Sequence, residues 1–114
     1  MSNLATETRT IADSRLAEFI RDKVPVWRER FQPAHIIVFG SRARNDARLD
    51  SDIDVVMVGD AFAAIKAPNR LGVALQAIRS EGGLDVFCFT PEEFEKYRRW
   101  PGIIKTACEE GIWL

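Results

Sequence analysis

Cysteine is scarce in this sequence: Cys88 and Cys108 are the only two. Neither their number nor their spacing builds a disulfide framework or a zinc site, so both read as small buried hydrophobes in a reducing compartment. Histidine is scarcer still, with His35 alone at the start of an apolar run, where it reads as structural. No stretch approaches the roughly 20 apolar residues of a membrane span. The opening segment MSNLATETRT is polar and lacks the apolar centre of a secretory signal. The expected location is cytoplasmic, with no membrane contact. An excess of basic charge is also missing: 16 Lys and Arg face 17 Asp and Glu, for a net charge of −1. That balance excludes nonspecific coating of nucleic acid, which needs a strongly basic surface, but leaves room for a local basic pocket. There is no internal repeat and no low-complexity tract.

What is present fits one domain. The 114 residues are 46% hydrophobic, enough for a single core without covalent staples. Residues 1–9 are expected to be a flexible tail and residues 10–114 the domain. From Ile11, apolar residues at Leu16, Ile20, Val24, Trp27 and Phe31 recur in helical steps, with a kink or restart expected at Pro25. Residues 34–39 (AHIIVF) form a continuous apolar run that stops at Gly40-Ser41 and reads as a buried strand. A short helical turn and a loop follow, then a second strand over Asp52–Val58. Residues 60–67 have no clear pattern. Pro68 opens a helix carrying Leu71, Leu75 and Ile78, ended by Gly82-Gly83. Leu84–Phe89 is the third strand. Thr90-Pro91-Glu92-Glu93 has capping-box spacing and starts a helix to about Arg99. A turn or helix from Pro101 runs to near Gly111, and Ile112-Trp113-Leu114 packs or adds a short strand. Strands interleaved with helices indicate an α/β (α+β) fold.

The chemistry lies at the strand ends. Asp52 and Asp54 are two residues apart on one strand, so both carboxylates project from the same face, which Val56 and Val58 share. Ile53, Val55 and Met57 fill the other face, so the strand is expected to be central. Adjacent carboxylates at the mouth of a core strand repel one another and lose hydration; a divalent cation relieves both costs. Asp85 opens the third strand and can bring a third acid to the same sheet edge, a trio able to hold two metal ions. Gly40-Ser41, leaving a buried strand and opening a helix, exposes backbone N–H groups and a hydroxyl that suit an anion, and Arg42 and Arg44 follow as phosphate partners. Each element alone has a bland alternative: a solvated acidic loop, a strand-end turn residue, a connecting turn with solvated arginines.

The spaced string Gly40-Ser41, ten residues, Asp52-Ile53-Asp54 resembles the signature of the DNA polymerase beta-type nucleotidyltransferase superfamily. The fuller segment GSRARNDARLDSDIDVVMV is similar to its minimal nucleotidyltransferase branch, with Asp85 in Gly83-Leu84-Asp85-Val86 at the place of the third acid and EGIWL at 110–114 like the usual close of such proteins. The resemblance covers roughly residues 34–114 and departs at Asn45, where the family commonly has Gly; Asn tolerates the left-handed backbone, so the turn is expected to survive. It implies a polymerase beta-like palm, a small mixed sheet with helices packed on it. It implies Gly40, Ser41, Arg42 and Arg44 as nucleotide-binding residues. Asp52, Asp54 and Asp85 become catalytic and metal ligands, with Mg2+ (two ions) as cofactor and ATP as substrate.

Proteins this small in that branch resemble the antitoxin half of a toxin–antitoxin pair with a HEPN-type ribonuclease toxin, whose tyrosine they adenylylate. The partner expectation is therefore a HEPN-type toxin, or a neighbouring copy in a homo-oligomer, since little chain remains to recognise an acceptor. Two other readings stand beside it: a binding antitoxin that neutralises by contact alone, and a small-molecule transferase of the aminoglycoside-modifying kind. Lys96, Arg98 and Arg99 read as a solvated helix face, and Trp27, Trp100 and Trp113 as packing.

Overall fold

The computed structural model describes residues 11–114; the expected tail at 1–9 lies outside the described residues. The first helix, α1 (Ser14–Asp22), is capped by Asp13, whose carboxylate accepts the Leu16 N–H at 2.8 Å. The chain breaks at Lys23 and restarts as α2 (Val24–Phe31), with Pro25 in the first turn, where its missing N–H costs no hydrogen bond. Of the expected kink or restart, the chain makes a restart. Strand β1 (His35–Phe39) leads directly into the short helix α3 (Gly40–Arg44). Helix α3 ends on Asn45 in the left-handed conformation, at φ 61°, as the tolerance of asparagine predicts.

Strand β2 (Ile53–Val58) is followed by a 3-10 turn (Asp60–Ala64) that buries Phe62, then α4 (Ala67–Ala77), β3 (Leu84–Phe89), α5 (Pro91–Tyr97), α6 (Ile103–Glu110) and the two-residue β4 (Ile112–Trp113). The capping box at α5 is complete: Thr90 Oγ1 accepts the Glu93 N–H and Glu93 Oε1 accepts the Thr90 N–H.

The strands form one mixed sheet in the order β3-β2-β1-β4. Strand β1 is antiparallel to β2 and to β4, while β2 and β3 are parallel. The mixed sheet with helices is the expected α/β class, and β2 is interior as its two apolar faces require. Side-chain alternation divides the core in two. Ile36, Val38, Ile53, Val55, Met57, Val86 and Cys88 point to one side, under Leu16, Phe19, Trp27, Phe62 and Ala74. Trp27 is fully buried there, donates its indole N–H to the Ala74 carbonyl at 2.9 Å and meets Phe19 edge-on. Ile37, Phe39, Val56 and Val58 point to the other side, under Phe94, Ile104 and Ala107 of α5 and α6. His35 packs its ring against Phe94 and Trp113, a structural position.

Candidate active site

The second face carries the acids. Phe39 pairs with Asp54 across β1 and β2, and Asp54 pairs with Asp85 across β2 and β3. Paired residues of neighbouring strands present their side chains to the same face. Asp54 and Asp85 therefore stand side by side, one pleat beyond Val56 and Phe87. The Phe39 and Phe87 rings, 6.1 Å apart, make an apolar floor next to them. Asp52 lies just before β2 and is exposed, as is Asp85, whereas Asp54 is half-buried. Among the described residues, no three acid, histidine or cysteine side chains close into a preformed metal cage. Asp54 and Asp85 are aligned on β2 and β3, and Asp52 stands one residue before β2.

Asp54 feels the charges of both other acids. Burial pushes the Asp54 carboxyl above its ordinary value, and the charges of Asp85 and then Asp52 push it in the same direction, with Arg44 opposing. This is the strain expected of like charges gathered at a strand mouth.

The turn at Gly40 lies against the same carboxylate. Gly40 has φ +76°, and a Cβ built on it would collide with Asp54 Oδ2. Only glycine combines that backbone with that approach. Gly40 and Ser41 form the first turn of α3, so their N–H groups sit at the end of a helix, beside the acid edge.

The two arginines diverge. Arg44 is half-exposed, its Nε 3.2 Å from Asp46 Oδ2, a surface pair of little energetic weight that leaves the guanidinium available to a phosphate. Arg42 is corrected by the structure. It is 7% exposed and turns inward, donating to the carbonyls of Leu49 (2.9 Å) and Ser51 (3.0 and 3.2 Å) and to Asp13 Oδ2 (3.1 Å). A guanidinium committed to three inward acceptors is an anchor for the loop before Asp52, not a phosphate ligand. Its partner Asp13 had no place in the sequence-based site; its position ahead of α1 signals a cap, but nothing in the letters links it to Arg42. Burial raises the Asp13 carboxyl, and the Leu16 N–H, Arg42 and the Arg15 N–H together outweigh that, leaving it below its ordinary value.

The residues present fit a hard divalent cation. All the candidate donors are carboxylate oxygens, and the raised Asp54 marks the place where added positive charge is most favourable. Magnesium takes one or two carboxylates, keeps waters and accepts substrate phosphates, and does not need a closed protein cage.

A family model described as "Nucleotidyltransferase domain" matches residues 16–114. Among solved structures, the chain is similar to a Sulfolobus solfataricus protein described as a nucleotidyltransferase candidate, with a TM-score of 0.56 and 24% identity over 72% of this chain and 73% of that one. At that identity the likeness concerns the fold. BolA1 from Arabidopsis thaliana aligns at a TM-score of 0.48 and 19% identity, over 71% of this chain and 93% of its own, too loosely to bear on fold or function. No curated protein matches the sequence.

Proposed function

The chain belongs to the family of nucleotidyltransferase domains, and from that premise we propose that it transfers a nucleoside monophosphate, AMP from ATP, to a hydroxyl of a protein partner. The observation that carries this reading is the register of Asp54 beside Asp85, with the Gly40 turn closed onto Asp54. In it, the N–H groups of Gly40 and Ser41, with the Ser41 hydroxyl and Arg44, hold the triphosphate against the acid edge. Asp52, Asp54 and Asp85 hold magnesium, in the full form two ions. When bound, the metal screens the carboxylates and neutralises charge on the phosphate oxygens. Asp85 is open to solvent and accepts the proton of the incoming hydroxyl. The hydroxyl oxygen bonds to the α-phosphorus as the bond to the bridging oxygen breaks, and pyrophosphate leaves. Positioning of the two reactants supplies much of the acceleration.

The partner reading rests on the resemblance and on exposed apolar surface. A HEPN-type toxin presenting a tyrosine is the acceptor that the resemblance supplies, with this chain as its antitoxin. Tyr97, Trp100 and Ile103, exposed at the end of α5 and the start of α6, offer apolar surface for such a contact.

The test uses ATP labelled at the α-phosphate, with Mg2+ and the toxin partner. Label should pass to the partner and be lost with Asp52→Ala and Asp54→Ala. An unlabelled partner at saturating enzyme would overturn the reading. Neutralisation that survives both substitutions would favour inhibition by contact.

A further inference from the structure

Two buried arginines have the same construction and lie in different parts of the molecule. Arg70 donates to the Ile65 and Cys88 carbonyls and to Glu93, and Arg42 donates to the Leu49 and Ser51 carbonyls and to Asp13. Each is 7% exposed. Arg70 ties α4 to β3 and α5, beside the Cys88 end of β3 and away from Asp85. Arg42 ties α3 and α1 to the loop that ends one residue before Asp52.

Among the described residues, that loop has little else to hold it. Leu49 is 96% exposed, and the loop's own closure consists of the Ser51 N–H to the Arg48 carbonyl and the Arg48 N–H to Ser51 Oγ, each 3.1 Å. The start of α1 grips the neighbouring strand entrance as well. Arg15 reaches the Gly83 carbonyl at 3.4 Å, and the same carbonyl accepts the Ile53 N–H at 2.9 Å. Ser51 precedes Asp52, and Gly83 lies two residues before Asp85.

We propose that Arg42, held by Asp13, is a positioning residue: it fixes the loop before Asp52 against α1, and thereby sets the affinity of the acid edge for a divalent cation. The proposal rests on the metal-binding reading of the acids. It goes beyond that reading by placing control of the site in α1, on the opposite face of the sheet from the carboxylates. Asp13 can serve both as helix cap and as counter-ion because its two oxygens are used separately, Oδ1 for Leu16 and Oδ2 for Arg42.

The full chain is titrated with Mn2+, following free Mn2+ by its paramagnetic resonance, for the wild type, Arg42→Met, Arg42→Lys, Asp13→Asn and Arg70→Met. Thermal unfolding and amide exchange are recorded for each. Arg42→Met should weaken Mn2+ binding by about tenfold or more and speed exchange at residues 49–52. Asp13→Asn keeps a capping oxygen and loses the charge, so it should fall in between, and it stands in if Arg42→Met does not fold. Arg42→Lys should recover part of the affinity. Arg70→Met should lower the unfolding temperature comparably and leave both Mn2+ affinity and loop exchange unchanged.

Wild-type affinity in Arg42→Met, or an equal loss in Arg70→Met, overturns the proposal. If the wild type binds no Mn2+, the metal reading of the acids fails, and exchange at 49–52 then judges the anchor by itself. Unchanged exchange in Arg42→Met would overturn that too, and selective acceleration would support it.

Discussion

Gly40 and Asp54 are built around each other: the glycine takes a left-handed backbone at φ +76°, and the space where its side chain would stand is filled by the Asp54 carboxylate. Gly40→Ala should therefore cost about 1–2 kcal/mol for the backbone alone, and more as Asp54 is displaced. A shift of about 1 Å at a reacting centre can cost on the order of 100-fold in rate. Transferase activity should fall at least that far while circular dichroism stays native. An active, equally stable Gly40→Ala enzyme would show that the turn does not touch the chemistry.

Asp54→Asn should separate stability from activity. Burial, Asp85 and Asp52 hold the Asp54 carboxyl above its ordinary value, so the folded state binds its proton more tightly than the unfolded chain does. The sign follows from linkage: stability falls as pH rises from the unfolded value through the raised folded one, and the loss is complete above that window. Without metal at neutral pH, Asp54→Asn should unfold at a higher temperature than the wild type and be inactive. The gap should narrow as pH drops towards about 4, the ordinary carboxylate range. A gap that widens in acid would contradict the assignment.

Divalent metal should have the opposite effect on the wild type. Mg2+ at about 100 times its dissociation constant adds roughly 2.7 kcal/mol to the folded state, on the order of 10 °C in the unfolding midpoint for a domain of this size. Chelator should remove the gain, and Asp54→Asn or Asp85→Asn should abolish it. A shift of equal size in those variants would place the metal elsewhere.

The two thiols should react in sequence. Burial pushes Cys88 up to about 12, leaving on the order of one thiolate in ten thousand at pH 8, and thiolate is the reactive form. Burial raises half-buried Cys108 as well. An aromatic disulfide reagent should modify Cys108 first and Cys88 only on unfolding. Rapid modification of both in the native protein would mean that β3 opens readily.

Much of the fold was legible because its signals are local. The apolar run at 34–39, the capping box at Thr90 and Glu93, and the alternation through β2 each depend on residues a few positions apart, and each appears where the letters place it. The face shared by Asp54, Val56 and Val58 follows from strand geometry alone. The segment 60–67 was opaque because a 3-10 turn around one buried Phe62 has no period to detect. Arg42 was misread for a different reason. Following Gly-Ser, a long cation matches a phosphate partner, and what turns it inward is the Leu49 and Ser51 carbonyls together with Asp13, 29 residues away in sequence. Asp52 was placed correctly at the mouth of β2, but its distance from the other acids depends on a loop whose shape is fixed by that same arginine.

The pairing of Asp54 with Asp85 also has a consequence for when the protein becomes competent. The strands bearing these acids are parallel, so the chain must complete the whole excursion through residues 59–83, helix included, before the second can dock on the first. Such long-range closure comes slowly and at a cost in loop entropy. A ribosome-bound fragment ending before β3 holds Asp54 without its neighbour, so the paired acids exist only in molecules that have completed β3.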